Sequence, residues 1–251
     1  MHIPIPSNRQ RFTIAITIKV KKPMSLGFKV YDPIYPNTHY FRRKAYLERG
    51  QKRSIKIPLP VSPEELELEV YDKNTGDDKG LEILDFKIIM MDEPKIWTTP
   101  EQQRFMDFSI QFAEKAGYVP AGFYDSPNGE FLFQYLPSIV DAYGKELITP
   151  ARIHRKMPRV QLSQRLFKTY TIPVRIAILA HEGCHWFLNT RSETNADLCG
   201  IRHYLDYGFP KIKAVYAATK IFSRHPELVG ETQVKRTRDI VQFIDKYRLA
   251  Q

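Results

Sequence analysis

The 251-residue sequence predicts an α+β protein in which the sheet comes first and the helices last. Three observations carry that expectation. The first ninety residues alternate apolar and polar side chains with a period of two. The last eighty carry helix caps and glycine or proline stops. Between them, residues 93–100 read as a linker. The first part, residues 1–92, is expected to be an antiparallel β-sandwich of the immunoglobulin-like or C2-like type, and residues 101–251 a second domain with a small sheet and a helical half.

The strands are read in order. Phe12, Ile14, Ile16, Ile18 and Val20 alternate with Thr13, Ala15, Thr17 and Lys19, which marks a strand with one buried face. Leu26, Phe28 and Val30 repeat the pattern, as do Ile55, Ile57 and Leu59, and then Leu66, Leu68 and Val70. Asn74–Gly76 carries a turn signal, and Leu81–Met91 is a last apolar strand. In the second domain Thr99 is placed to cap a helix with Pro100 at its first position and Phe105, Phe108 and Phe112 on its apolar face. Phe131, Phe133 and Tyr135, and then Val160 and Leu162, alternate as strands.

Pro173 opens a helix that Asn189 closes. Ser192 caps a second, Glu193–Tyr207, that Gly208 stops. Further helices are expected over Lys211–Ser223 and Glu231–Leu249, the last with Val234, Val241, Ile244 and Tyr247 on one stripe.

Composition narrows the function classes. The chain is 43% hydrophobic and 26% charged, so it can bury a core. No apolar run reaches the roughly 18 residues of a membrane span, and the first residues lack the charged and apolar regions of a signal peptide, so a cytoplasmic location is expected. The net charge of +10 points to an acidic partner, but it is spread: +4 over residues 1–92 and +6 over the rest. Tyr40-Phe41-Arg42-Arg43-Lys44 is the densest basic-aromatic stretch. It is read as a solvated loop or a protein interface through which the N-terminal domain meets assembly partners, ahead of a nucleic-acid surface.

Two cysteines cannot build a disulfide framework, so a reducing compartment is the expectation. Cys184 is read as a small buried hydrophobe. A Cys184–Cys199 bridge requires alpha-carbons within about 7 Å.

One motif carries chemistry. His181-Glu182-Gly183-Cys184-His185 is an HExxH sequence inside an expected helix. Residues i and i+4 share a helix face, so two imidazoles can grip one metal ion. Zinc takes histidine nitrogen readily and needs three protein ligands for a site with an open position. Glu182, rotated about 100° from His181, can reach a water without ligating the metal. With seven histidines in the chain, composition alone yields about 0.01 such pentads. Glu193 lies eight residues past His185, in the first turn of the next helix. The short Asn189–Ser192 connection folds that helix back as an antiparallel neighbour, which turns Glu193 toward the histidines. One turn further, Asp197 can accept a hydrogen bond from the second nitrogen of a ligand histidine.

HExxH followed by Glu193-Thr194-Asn195-Ala196-Asp197 resembles the gluzincin clan of zinc metallopeptidases. The resemblance covers about 25 residues, a tenth of the chain. It implies a zincin-like second domain, a Zn2+ held by His181, His185 and Glu193, Glu182 as general base, Asp197 as the partner of His181, and a protein or peptide substrate. The connection between the two motifs is much shorter than in thermolysin-like enzymes. The oxyanion-stabilising histidine of those enzymes has no assignable counterpart; His203, Tyr204, Tyr207, Arg191 and His154 are candidates. The wider stretch from His181 to Pro210 also resembles HExxH proteins of crAss-like bacteriophages and Bacteroides-type bacteria, which implies an alternative: a virion or assembly protein with the zincin-like domain as scaffold. An exposed edge strand near Arg159–Gln164 is expected to align a peptide by strand addition.

Overall fold

A computed structural model describes residues 1–94, 98–154, 156–217 and 231–247. It is an α+β chain that divides into two compact units, Met1–Pro94 and Lys95–Gln251. Residues 95–97 of the expected linker lie outside the described residues.

The first unit holds two antiparallel sheets. Strands β1 (His2–Pro6), β3 (Met24–Tyr31), β4 (His39–Leu47) and β6 (Glu65–Asp72) form one in the order β1-β6-β3-β4. Strands β2 (Phe12–Val20), β5 (Lys52–Leu59) and β7 (Leu81–Met90) form the other in the order β5-β2-β7. The period-two pattern explains the burial: Phe12, Ile14, Ile16, Ile18 and Val20 on β2 are all buried, as are Leu26, Phe28 and Val30 on β3. Each such side chain contributes about 1.5–3 kcal/mol by leaving water. On β3, Gly27 leaves room for the Tyr71 ring, whose outer end would stand 2.5 Å from a Cβ there and would have to shift.

Two segments differ from the sequence reading. His2–Pro6, to which the sequence reading assigns no element, adds β1 to β6, with Ile3 opposite Leu68 and Ile5 opposite Leu66. The basic-aromatic stretch is not a loop. It is β4, an edge strand whose Tyr40 and Phe41 are buried while Arg42, Arg43 and Lys44 are exposed. A bulge between Val30 and Tyr31 lets Tyr40 and Phe41 both turn inward, which breaks the alternation that would have identified the strand.

The second unit is built on α1 (Pro100–Lys115), a mixed sheet, and the helix pair α3 (Ile172–Phe187) and α4 (Glu193–Asp206). Thr99 caps α1 in a capping box with Gln102. The sheet runs β10 (Ala151–Ile153), β11 (Arg159–Ser163), β9 (Leu132–Leu136), β8 (Gly122–Asp125), with β9 and β11 parallel. A short helix, α2 (Gln164–Phe167), joins β11 to α3. Phe105, Phe108 and Phe112 of α1 interlock edge-on or stacked with Phe131, Phe133 and Tyr135 beside the sheet.

Arg175, fully buried near the start of α3, donates to the carbonyls of Ala113, Phe167 and Lys168. It thereby ties α1, α2 and α3 together with charge-assisted bonds. Helices α5 (Lys211–Tyr216) and α6 (Glu231–Lys246) complete the unit. Ser223 and Leu249, the expected helix ends, and the side chain of Val234 lie outside the described residues; among the described residues of α6, Ile240 and Ile244 are buried.

Candidate metal centre

The motif sits on the most buried helix of the second unit: every residue of α3 from Ile172 to Cys184 is buried. Two close approaches and a tight connection make this possible. Gly183 admits the Phe105 ring, since a Cβ there would lie 2.3 Å from it. Gly200 of α4 lies against the backbone of α3, where a Cβ would stand 2.7 Å from the His181 nitrogen and 2.8 Å from its Cα. Asn189 takes φ +44° to end α3, and Ser192 caps α4 through the Asn195 N–H at 3.3 Å.

That packing brings the sequence-predicted ligands together. His181 Nε2 and His185 Nε2 are 3.2 Å apart. The Glu193 carboxylate stands 3.5 Å from each, Oε2 toward His181 and Oε1 toward His185. Ligand atoms of a tetrahedral zinc with bonds of about 2.0–2.1 Å are about 3.3 Å apart, so the three groups fit such an ion.

The second nitrogens decide the protonation. His185 Nδ1 lies 2.9 Å from the Thr190 carbonyl and His181 Nδ1 lies 2.8 Å from Asp197 Oδ1. Both partners only accept, so both Nδ1 atoms carry hydrogen and both Nε2 lone pairs turn toward each other. Only a cation between them, a proton or a metal ion, relieves that opposition.

The electrostatics agree. Burial disfavours a charge on His181, but Asp197 and Glu193, aided by Glu182, outweigh it and hold its pKa up to about 10. Burial likewise opposes charge on His185, while Glu193 and the Thr190 carbonyl raise its pKa. Glu193 is pushed well below the usual carboxylate range by the two histidines.

Glu182 has a different task. It is buried, and burial raises its pKa against the opposing pull of the two histidines. Its Oε2 accepts the Ile153 N–H at 2.8 Å. The side chain lines a cleft of about 950 Å3 together with the three ligand residues, β10, and Arg152, Lys156, Arg191 and Arg236.

Two participants were not legible in the sequence. Ile153 acts through its backbone, which no residue type signals. Arg236 of α6 donates from Nε to Asp197 and from Nη2 to Glu193 at 3.2 Å, orienting both carboxylates from 39 and 43 residues away. Among the oxyanion candidates, His154 and Arg191 line the cleft; His203, Tyr204 and Tyr207 do not. The Tyr207 hydroxyl bonds Asp107 and Gln103, and the Tyr204 hydroxyl donates to the Pro210 carbonyl at 3.4 Å.

Two expectations are corrected. The strand Arg159–Ser163 is not an edge: Thr149–Ile153 folds against it, so β11 is paired on both sides and β10 is the edge beside Glu182. The cysteines are not free. Cys184 and Cys199 form a disulfide with alpha-carbons 6.0 Å apart, inside the distance a bridge allows. Gly200 lets the helix backbones approach closely enough for the sulfurs to meet. Closing this 15-residue separation stabilises the chain by about 3 kcal/mol.

No known family profile matches the chain, and a search of curated proteins finds no match. Among the described residues, no helix is long and apolar enough to cross a membrane.

Proposed function

We propose that the chain is a zinc-dependent metallopeptidase of gluzincin type, with a zincin-like catalytic unit and an N-terminal β-sandwich. The observation that carries this reading is the pair of facing Nε2 atoms, 3.2 Å apart, with the Glu193 carboxylate 3.5 Å from each. His181, His185 and Glu193 would hold the ion. Zinc, when bound, supplies Lewis acidity toward a water and a carbonyl oxygen.

The chain's own residues do the rest. Asp197 and the Thr190 carbonyl hold the ligand imidazoles in the Nδ1–H tautomer. Arg236 holds the Glu193 and Asp197 carboxylates in place through its two hydrogen bonds. Glu182 binds the Ile153 N–H through Oε2, which leaves Oε1 to take a proton from water and pass it to the leaving amine. Burial brings its basicity closer to neutral pH, where a general base works best. Among the described residues β10 is the edge strand of its sheet along the cleft, and apart from the Ile153 N–H held by Glu182 its outer side can take an extended peptide by main-chain hydrogen bonds. Of the oxyanion candidates expected from sequence, Arg191 and His154 line the cleft.

Metal analysis tests the reading. About one zinc per chain is expected, retained in Glu182→Gln, with cleavage of an unfolded protein substrate lost in that variant. Protein purified zinc-free from zinc-replete medium would sink the proposal.

A second reading is favoured by one feature of the first unit. Strand β7 exposes Leu84, Ile88, Ile89 and Met90 along the edge of its sheet. An apolar edge of this kind is a surface for assembly, in line with the resemblance to phage-associated HExxH proteins. Stable oligomers by light scattering, unchanged by Glu182→Gln and without any peptide cleavage, would select the virion or assembly role.

A further inference from the structure

The same two helices carry a second group of ligand atoms on a face away from the cleft. A sulfur each from Cys184 and Cys199 and a ring nitrogen of His203 all lie within 4.8 Å of one another. None of the three lines the cleft. Cys199 and His203 are four residues apart on α4, so they share a face. Cys184 reaches them from α3, because Gly200 brings the two backbones together.

The disulfide accounts for the two sulfurs but not for the imidazole. His203 is nine-tenths buried, and its Nδ1 has no hydrogen-bond partner among the described residues. A buried ring with an orphaned nitrogen is costly to a fold that gains nothing else from it. Its place beside two sulfurs suits a metal.

We propose that Cys184, Cys199 and His203 form a second, redox-gated zinc site that clamps α3 to α4 when the disulfide is open. Two thiol equivalents reduce the bridge: the protein S–S bond breaks, two cysteine thiols form, and the external thiols leave as their own disulfide. Zinc then displaces one proton from each thiol and binds two thiolates and the imidazole. A Cys2His zinc spaces its ligand atoms about 3.5–3.8 Å apart, within reach of the observed cluster. The fourth position falls to water, because Cys199 retains partial contact with solvent. The helix pair is thus held by a covalent bond under oxidising conditions and by a metal under reducing ones.

The test counts metal before and after reduction. The full chain is reduced with a water-soluble phosphine, which leaves as its oxide, and loaded with zinc. Native mass spectrometry should show one more zinc per chain than in the oxidised protein. The increment does not depend on whether the HExxH site is loaded, so failure of the peptidase reading leaves it readable: the counts would then run from zero to one. Cobalt in place of zinc should give sulfur-to-metal charge-transfer absorption only after reduction, a signature that a His-His-Glu site cannot produce. Cys199→Ser and His203→Gln should each abolish the increment and the band. No increment in the reduced wild type, or an increment that survives either substitution, would overturn the proposal.

Discussion

The two units bury polar groups in opposite ways. In the first, the buried polar side chains are Ser7, Thr38, Ser62 and Asp72. Ser7 donates to the Pro63 carbonyl, Ser62 to the Gln10 carbonyl, and Asp72 accepts from the Asn74 N–H. All three are contacts to the main chain: the two serines tie segments distant in sequence, and Asp72 closes a turn. In the second, Arg175, His181, Glu182, Asp197 and His203 are all buried, and all five lie on a single pair of antiparallel helices. Burying ionisable groups costs free energy unless partners compensate. The first unit buries mostly uncharged hydroxyls, and the second gathers buried ionisable groups, the pattern that marks a candidate functional site.

The sharpest way to break this contrast is Glu182→Gln. Cleavage should fall about 10³-fold or more while zinc content stays near one per chain, as expected for loss of a general base. No substitution at the buried serines of the first unit should change zinc content at all. His181→Ala should remove the metal and most of the stabilisation it confers, read as a fall in Tm that added zinc no longer reverses.

Gly200→Ala comes next. A methyl group against the His181 backbone must push α4 away from α3, costing about 1–3 kcal/mol and weakening zinc affinity together. Gly27→Ala, where the crowding atoms are the far end of the Tyr71 ring rather than backbone, should lower stability less than Gly200→Ala and leave zinc untouched.

The pH dependence is smaller but has a definite sign. His181 has a pKa raised to about 10 in the folded chain against 6.5 unfolded. Its contribution in metal-free protein is therefore complete below about pH 6.5 and lost as pH rises toward 10. Glu193, depressed below 4.5, contributes above that value and loses its contribution in acid. Metal-free protein should thus lose stability in alkali, whereas zinc-loaded protein should lose its metal in acid, when protons compete for the same nitrogens. Thermal unfolding across pH with and without chelator reads both. Thr99→Ala, which removes a cap far from the metal ligands in sequence, should cost about 1 kcal/mol and leave zinc binding intact.

Much of this was legible locally. The period-two strands and the caps at Thr99 and Ser192 read directly, because alternation and capping are short-range physics. HExxH and Glu193 could be joined from sequence because a four-residue connection leaves the helices little freedom. The rest depended on long-range contacts. Arg236 bears no local mark of its role, Ile153 contributes only a peptide N–H, and β4 hid behind a bulge. The Cys184–Cys199 bridge needed a helix separation that only Gly200 discloses.

The hydrogen bond from Ile153 to Glu182 has a further consequence. The N–H stabilises the ionised carboxylate and so tempers the rise that burial imposes. It belongs to the edge strand against which an extended peptide would lie. On the proposed peptidase reading, a shift of that strand on docking that lengthened the bond would raise the carboxylate's affinity for a proton, so grip on the peptide and strength of the base would be coupled through one bond.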